Sequence, residues 1–448
     1  MKTKKVVLFY PSGGCDYLEY QWMPWPVLTL ATYLDHHGFE PVLIDGRTEE
    51  DVESIIRKET KDALLFGISA TTGPQLPYAL EGARIVRDVD PSLPILWGGW
   101  HPTIFPEQTA EHPLVDIVAR GRGENLIVNL ARALYDGSDL SSVEGIVYKE
   151  NGALKKTPQA PTSYPALSAC SHEKYVDITR YINPKTRLFC YFTGYGCLYN
   201  CTFCSRTYMG KRYDAVEIDM VLDDIKYLTD KYDFKNLYIY DDNFFAMPKR
   251  CVAIAKGMID RGIKLKWKAD SRANVFPRYK EEDIKALVDS GLISIFIGAE
   301  SGSPRMLNKL CKGVSPDHLI ETAKVCSRVD IQMHLSYMFG VPGETVEDLK
   351  LTIEQVKTMR SIYDKVNVTV ARFMLYPGTA IYDEMMENGF LKNEPSTLEE
   401  WGAEDRKPAN TFISPPWFDK KTGDEYKKVF DDYFGESYRS QWSVKDDE

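Results

Sequence analysis

The sequence predicts an α/β protein in two parts: a doubly wound, Rossmann-like parallel sheet, then a partial barrel of six strand–helix repeats, (β/α)6, with a small helical cap at the carboxyl end. Three observations predict it. Short apolar runs alternate with longer amphipathic stretches from residue 5 to residue 119. The alternation breaks over 141–186, where prolines stand at 158, 161, 165 and 184. It then resumes over 187–373 with six further apolar runs. The expected organisation is therefore a sheet domain at 1–140, a linker at 141–186, a barrel at 187–381 and a substrate-enclosing region at 382–448, within the two or three domains that 448 residues suggest.

In the first part, strands are predicted at 5–10, 41–44, 63–69, 94–97 and 116–119, with helices at 26–35, 49–58 and 77–89 between them. Strands separated by helices must run parallel, and the ligand crevice of such a sheet lies outside their carboxyl ends. The loops there are small and glycine-rich: Ser69-Ala70-Thr71-Thr72-Gly73-Pro74-Gln75, Gly98-Gly99-Trp100-His101-Pro102-Thr103 and Arg120-Gly121-Arg122-Gly123-Glu124. Residues this small let backbone approach a broad ligand closely. A generic nucleotide-binding or response-regulator sheet would offer comparable loops.

The segment 141–186 carries two short strands, 145–149 and 153–156, around an Asn151-Gly152 turn, and reads as a linker laid over the surface. Barrel strands follow at 187–193, 236–241, 265–269, 294–298, 332–339 and 367–373. Helices at 220–231, 248–261, 280–290, 316–329 and 345–359 separate them. Barrel chemistry belongs at the strands' carboxyl ends, and polar groups stand there: Asp242 and Asn243, Arg272, Glu300, then Val341 before Pro342-Gly343-Glu344. Residues 382–448 are aromatic and charged, including Trp401, Trp417, Tyr426 and Phe430, and suggest a helical cap over the barrel mouth.

Composition narrows the partners. A formal charge of −10 argues against a phosphate-backbone partner. No run is long and apolar enough for a signal peptide or a membrane span, so a cytoplasmic protein is expected. In a reducing compartment nine cysteines are ligands or buried thiols. Cys170, Cys190, Cys251, Cys311 and Cys326 lack ligand spacing and read as core; Cys15, beside Gly13 and Gly14, stays open.

Cys197, Cys201 and Cys204 are the exception, at intervals of four and three in one loop after the first barrel strand. Three thiolates fill all but one corner of a four-iron cluster; a zinc ion completed by a distant cysteine or histidine is the other arrangement they permit. The spacing, with aromatic Phe203 before the last cysteine, resembles the signature of the radical S-adenosylmethionine (SAM) superfamily. The resemblance implies a 4Fe-4S cluster whose open iron takes SAM. It further implies that Phe203 and Val341 contact adenine, that Glu300 and Arg272 hold the ribose and methionyl ends, and that Asp242 and Asn243 assist.

The three loops of the first part resemble, in order, those of the cobalamin-binding domain that precedes the radical SAM core in cobalamin-dependent radical SAM enzymes. By that resemblance Thr71, Thr72, Gly73, Gly98, Gly99, His101, Gly121, Gly123 and Glu124 contact cobalamin. Two departures matter. Arg122 stands where the family often has Glu, and the Asp-x-His-x-x-Gly motif that supplies a histidine to cobalt is absent, leaving His101 as a backbone-bonded loop residue or a corrin-edge contact. The implied activity is methylation of an unactivated carbon through a 5'-deoxyadenosyl radical and methylcobalamin. Oxidative cyclisation or rearrangement without methyl transfer is the alternative, and a cobalamin-binding sensor with a structural cluster a further one. The substrate would be a small molecule held between the two domains, and the reductant an external flavodoxin- or ferredoxin-type donor. No residue chooses among metabolite, peptide, lipid and tetrapyrrole, and no catalytic residue is assigned.

Overall fold

Five parallel strands open the chain: β1 (Lys5–Tyr10), β2 (Glu40–Asp45), β3 (Leu65–Ser69), β4 (Ile95–Gly98) and β5 (Ile117–Ala119). The structure is a computed structural model that describes residues 3–13, 21–160, 169–209, 211–391, 394–403 and 415–442. Apolar runs such as Val6 to Phe9 are continuous because helices cover the sheet on both faces. Val6 and Leu8 pack with Val27, Ala31, Leu126 and Leu130 of helices Trp25–His36 and Glu124–Asp136. The ring of Phe9 meets Gly82 of helix Gln75–Val89.

The sheet order is β2-β1-β3-β4-β5, continued by β6 (Ile146–Glu150) and β7 (Ala153–Lys156). Chain direction across the sheet reverses between β1 and β3, so a crevice opens outside their carboxyl ends. β6 and β7 correct the expectation of a surface linker. They run antiparallel and extend the sheet, burying Ile146 and Val147 and covering the edge that β5 would otherwise expose. Later residues of that segment are equally committed: Tyr181 Oη donates to Asp45 Oδ2 at 2.9 Å, and Lys174 pairs with Asp35 at 2.7 Å.

The chain divides into two compact units, Met1–Pro184 with Asn393–Asp405, and Lys185–Lys392 with Arg406–Glu448. The second unit holds six parallel strands in chain order: β8 (Leu188–Tyr191), β11 (Asn236–Ile239), β12 (Lys266–Ser271), β13 (Leu292–Glu300), β14 (Gln332–Phe339) and β15 (Val366–Arg372). Between the first two lies a hairpin absent from the sequence reading, β9 (Gly194–Cys197) and β10 (Arg212–Ala215).

The carboxyl-terminal region differs from the expected cap. Helix Lys420–Trp442 packs along helix Val346–Ile362 and edge strand β15, with Tyr426, Phe430 and Phe434 buried. Among the described residues, Pro415 beside Gly340, Trp417 against Phe373 and the Tyr426 hydroxyl, which accepts from Gly340 N at 3.3 Å, reach the carboxyl ends of the strands. Helix Leu398–Ala403 belongs to the first unit. No described helix is long and apolar enough to cross a membrane. Cys15 lies outside the described residues.

Candidate active site

The cysteine loop hangs from one buried carboxylate. Asp241, fully buried after β11, accepts from Thr193 N at 2.7 Å, Thr193 Oγ1 at 2.6 Å, Gly194 N at 3.2 Å and Tyr213 Oη at 2.8 Å. Burial raises its pKa to about 6 against those four donors. Asp242 accepts from Gly196 N at 2.9 Å and pairs with Arg206 Nε at 2.9 Å, so this residue, expected beside SAM, is committed to the loop. Gly196 must be glycine: its φ is +90°, and a Cβ there would collide with the Arg212 carbonyl oxygen across the hairpin. The middle of the loop is tied down by Thr202, whose N–H donates to Leu310 O at 3.1 Å and whose carbonyl accepts from Ile381 N at 3.1 Å.

Among the described residues no three His, Cys, Asp or Glu side chains converge closely enough for a single metal ion. The donor set does fit a larger anionic cluster. Buried Arg272 donates through Nη1 to Cys201 Sγ at 3.6 Å, with its guanidinium 3.6 Å over the Tyr199 ring. Its Nε and Nη2 have no partner among the described residues, so a buried cation with unspent donors faces thiols. Burial pushes the Cys197 and Cys204 thiols above their ordinary range, outweighing the opposing pull of Arg272 on Cys197 and of Arg206 on Cys204.

Around the thiols stands a second set. Glu300 ends β13 at a register shift and carries φ +63°, a left-handed conformation costing roughly 1–3 kcal/mol for a residue with a side chain. Its carboxylate pairs with buried Lys312 Nζ at 2.6 Å, and Gly298 leaves the room its side chain occupies. Lys312, which the sequence reading missed, also stands 5.8 Å from the Phe203 ring centroid. Phe203 packs against the cluster of Met306, Leu310, Val341, Phe373 and Ile381, so the two residues expected at adenine share one apolar surface. Asn243 is buried, and among the described residues neither of its amide atoms is bonded. Guanidinium, ammonium, carboxylate, unspent amide and an apolar wall together suit a zwitterionic ligand with a flat aromatic part. Deeper in the barrel, Asp270 accepts from Tyr238 Oη at 2.6 Å, and burial raises its pKa to about 7.

In the first unit the loops after β1 and β3 are joined by Gln75, which accepts from Thr71 N at 2.9 Å and donates to Pro11 O at 3.1 Å. Gly99 has φ +96°, and a Cβ there would lie 2.6 Å from Ala70 O, so only glycine permits the loops after β3 and β4 to touch. Gly121 N donates to Thr103 Oγ1 at 3.0 Å, tying the third loop to the second. The result is a backbone-lined cradle, which fits a broad ligand such as cobalamin. Gly98 meets only Ala119 and β3 backbone at ordinary distance, and Gly123 is crowded by Leu30. Two of the residues expected at cobalamin are otherwise placed. Glu124 pairs with Arg122 at 2.7 Å and lines a cavity of about 270 Å³ with His37, Asn129 and Arg132. His101 is fully buried, bonded through Nδ1 to Thr72 Oγ1 at 3.1 Å, and desolvation lowers its pKa to about 4.

Two family models match: B12 binding domain over residues 12–131 and Radical SAM superfamily over residues 191–356. The chain is 30% identical over 407 residues to an uncharacterised methyltransferase of Pyrococcus horikoshii, PH0819, covering 87% of this chain and 85% of that protein. It is 25% identical over 390 residues to the anaerobic magnesium-protoporphyrin IX monomethyl ester cyclase of Rubrivivax gelatinosus, covering 84% and 68%. Its fold matches that of TsrM from Kitasatospora setae, a radical SAM methyltransferase solved with cobalamin and a [4Fe-4S] cluster, with a TM-score of 0.72, 18% identity and coverage of 96% and 82%. Radical SAM and cobalamin-binding units in one chain carry the cofactors with them: a 4Fe-4S cluster, SAM and cobalamin. The chain belongs to the cobalamin-dependent radical SAM enzymes.

Proposed function

We propose that this enzyme methylates an unactivated carbon of a small-molecule substrate. When bound, the cluster with SAM supplies a carbon-centred radical, and cobalamin supplies the methyl group. In this reading Cys197, Cys201 and Cys204 hold the cluster, and Arg272 offsets its charge while offering its remaining N–H groups to the SAM carboxylate. Glu300, fixed by Lys312, takes the polar end of SAM, with Asn243 beside it. Phe203 and Val341 shelter adenine from water. In the first unit, the backbone of 71–73, Gly98, Gly99, Gly121 and Gly123 receives cobalamin. The electron comes from an external donor of the flavodoxin or ferredoxin type, in the cytoplasm.

The observation that carries the reading is the pairing of this thiol, Arg272 and Glu300–Lys312 grouping with 30% identity, across most of both chains, to a protein named as a methyltransferase. The likeness to a cyclase favours the second reading, ring formation or rearrangement without methyl transfer. Incubating reduced, reconstituted enzyme with SAM carrying a labelled methyl separates them. Methylation requires S-adenosylhomocysteine and 5'-deoxyadenosine together, with label in a product. The second reading requires 5'-deoxyadenosine alone, and a sensor neither.

A further inference from the structure

Helix Leu398–Ala403 follows the barrel in sequence but packs in the first unit. Trp401, 1% exposed, sits at 4.9 Å between ring centroids from Phe105 and edge-on to His101 at 5.8 Å. Its Nε1 donates to Gln108 Oε1 at 2.8 Å, while Gln108 Nε2 donates to Pro395 O at 3.0 Å. Glu399 reaches His112 at 3.1 Å, and Gly402 lies against Pro77 so closely that a Cβ would stand 2.7 Å from its ring. These contacts fall on the elements after β3 and β4. Held beneath Trp401 and Phe105, the His101 ring bonds through Nδ1 to Thr72 Oγ1, while its Nε2 has no partner among the described residues. Unlike the buried His101, Thr72 is partly exposed.

We propose that Trp401 and His101 are positioning residues for cobalamin: the strap from the far end of the chain locks the His101 ring, and the ring fixes the Thr72 hydroxyl at the cradle. His101 therefore acts from behind the cradle and does not ligate cobalt. Aromatic packing of this kind contributes about 0.5–1.5 kcal/mol per pair, enough to change affinity by up to about tenfold if it is spent on ordering the loop. The proposal rests on the reading that the loops after β3 and β4 receive cobalamin.

The test titrates hydroxocobalamin into the full-length apoprotein of wild type, Trp401→Ala, Trp401→Phe, His101→Phe and Gly99→Ala. Electron paramagnetic resonance of the bound cob(II)alamin and thermal unfolding accompany each titration. Trp401→Ala and His101→Phe should weaken binding by about tenfold, with Trp401→Phe within about threefold of wild type. Nitrogen superhyperfine splitting should be absent from wild type and from His101→Phe alike. Wild-type affinity in folded Trp401→Ala and His101→Phe overturns the strap, while Gly99→Ala still weakens binding. Wild-type affinity in Gly99→Ala overturns the cradle itself. Splitting that is present in wild type and lost in His101→Phe makes His101 a ligand and overturns its positioning role. If Trp401→Ala fails to fold, His101→Phe decides: wild-type affinity in that folded variant overturns the proposal, and binding weakened by about tenfold sustains it.

Discussion

Glu300 and Lys312 show how much of a site one buried ion pair controls. With both groups withdrawn from water, removing one leaves the other uncompensated, which costs about 3–5 kcal/mol. Lys312→Ala should therefore abolish measurable SAM binding and lower thermal stability together. Arg272→Ala should weaken SAM by roughly 1–3 kcal/mol, as lost charged hydrogen bonds do; equilibrium binding by filtration checks both, and wild-type affinity in the pair would refute this SAM site. Replacing Cys197, Cys201 or Cys204 by Ala should remove the four irons per chain measured after anaerobic reconstitution while leaving cobalamin bound. The three cysteines were legible because their spacing is local. Lys312 was not, because its significance comes from Glu300 folding back on it through a left-handed residue. From sequence alone Asp241 reads as an ordinary helix cap or salt-bridge partner, but its four donors come from Thr193, Gly194 and Tyr213, so it is neither and instead anchors the cysteine loop.

Glu344 carries a pH signature. It accepts from Gly340 N at 2.6 Å and Tyr426 Oη at 2.9 Å, and burial raises its pKa from 4.5 to about 7. Between those values the folded state holds a proton that the unfolded state has released, so the contribution of Glu344 to stability is greatest below about pH 4.5, falls as pH rises to about 7 and is flat above. Glu344→Gln cannot titrate. Denaturant unfolding of the apoproteins at pH 5 and pH 8 should show wild type losing on the order of 3 kcal/mol relative to the variant; equal changes in both would count against this group.

Among elements, the regular ones were legible and the irregular ones were not. All strands predicted from apolar runs are present, because a strand buried on both faces has little freedom of composition. The β9–β10 hairpin was invisible: four residues of Gly-Tyr-Gly-Cys carry no periodicity, and their pairing is set by Asp241 and Tyr213 from elsewhere. Gly196→Ala tests that element. The added Cβ has nowhere to go but into the Arg212 carbonyl, so the hairpin must open and iron content should fall several-fold with secondary structure by circular dichroism retained. Full iron loading in this variant would show that the hairpin does not hold the cysteine loop. The strands of 141–186 were seen but not their destination, since antiparallel addition to an existing edge leaves no mark on the strand added.

On the scale of the whole molecule, the two kinds of unit were legible from two runs of strand–helix alternation, while the chain's route between them was not. Nothing in Leu398–Ala403 alone says that Trp401 belongs with Phe105, nearly 300 residues earlier, because the match is made by shape and one Gln108 bond. That route sets an order of events during synthesis. Strands β1 to β7 have emerged by residue 156, yet the piece that covers Phe105 and His101 leaves the ribosome roughly 250 residues later. At about 5–20 residues per second, this is an interval on the order of ten to fifty seconds in which the nascent first unit presents an uncovered aromatic surface.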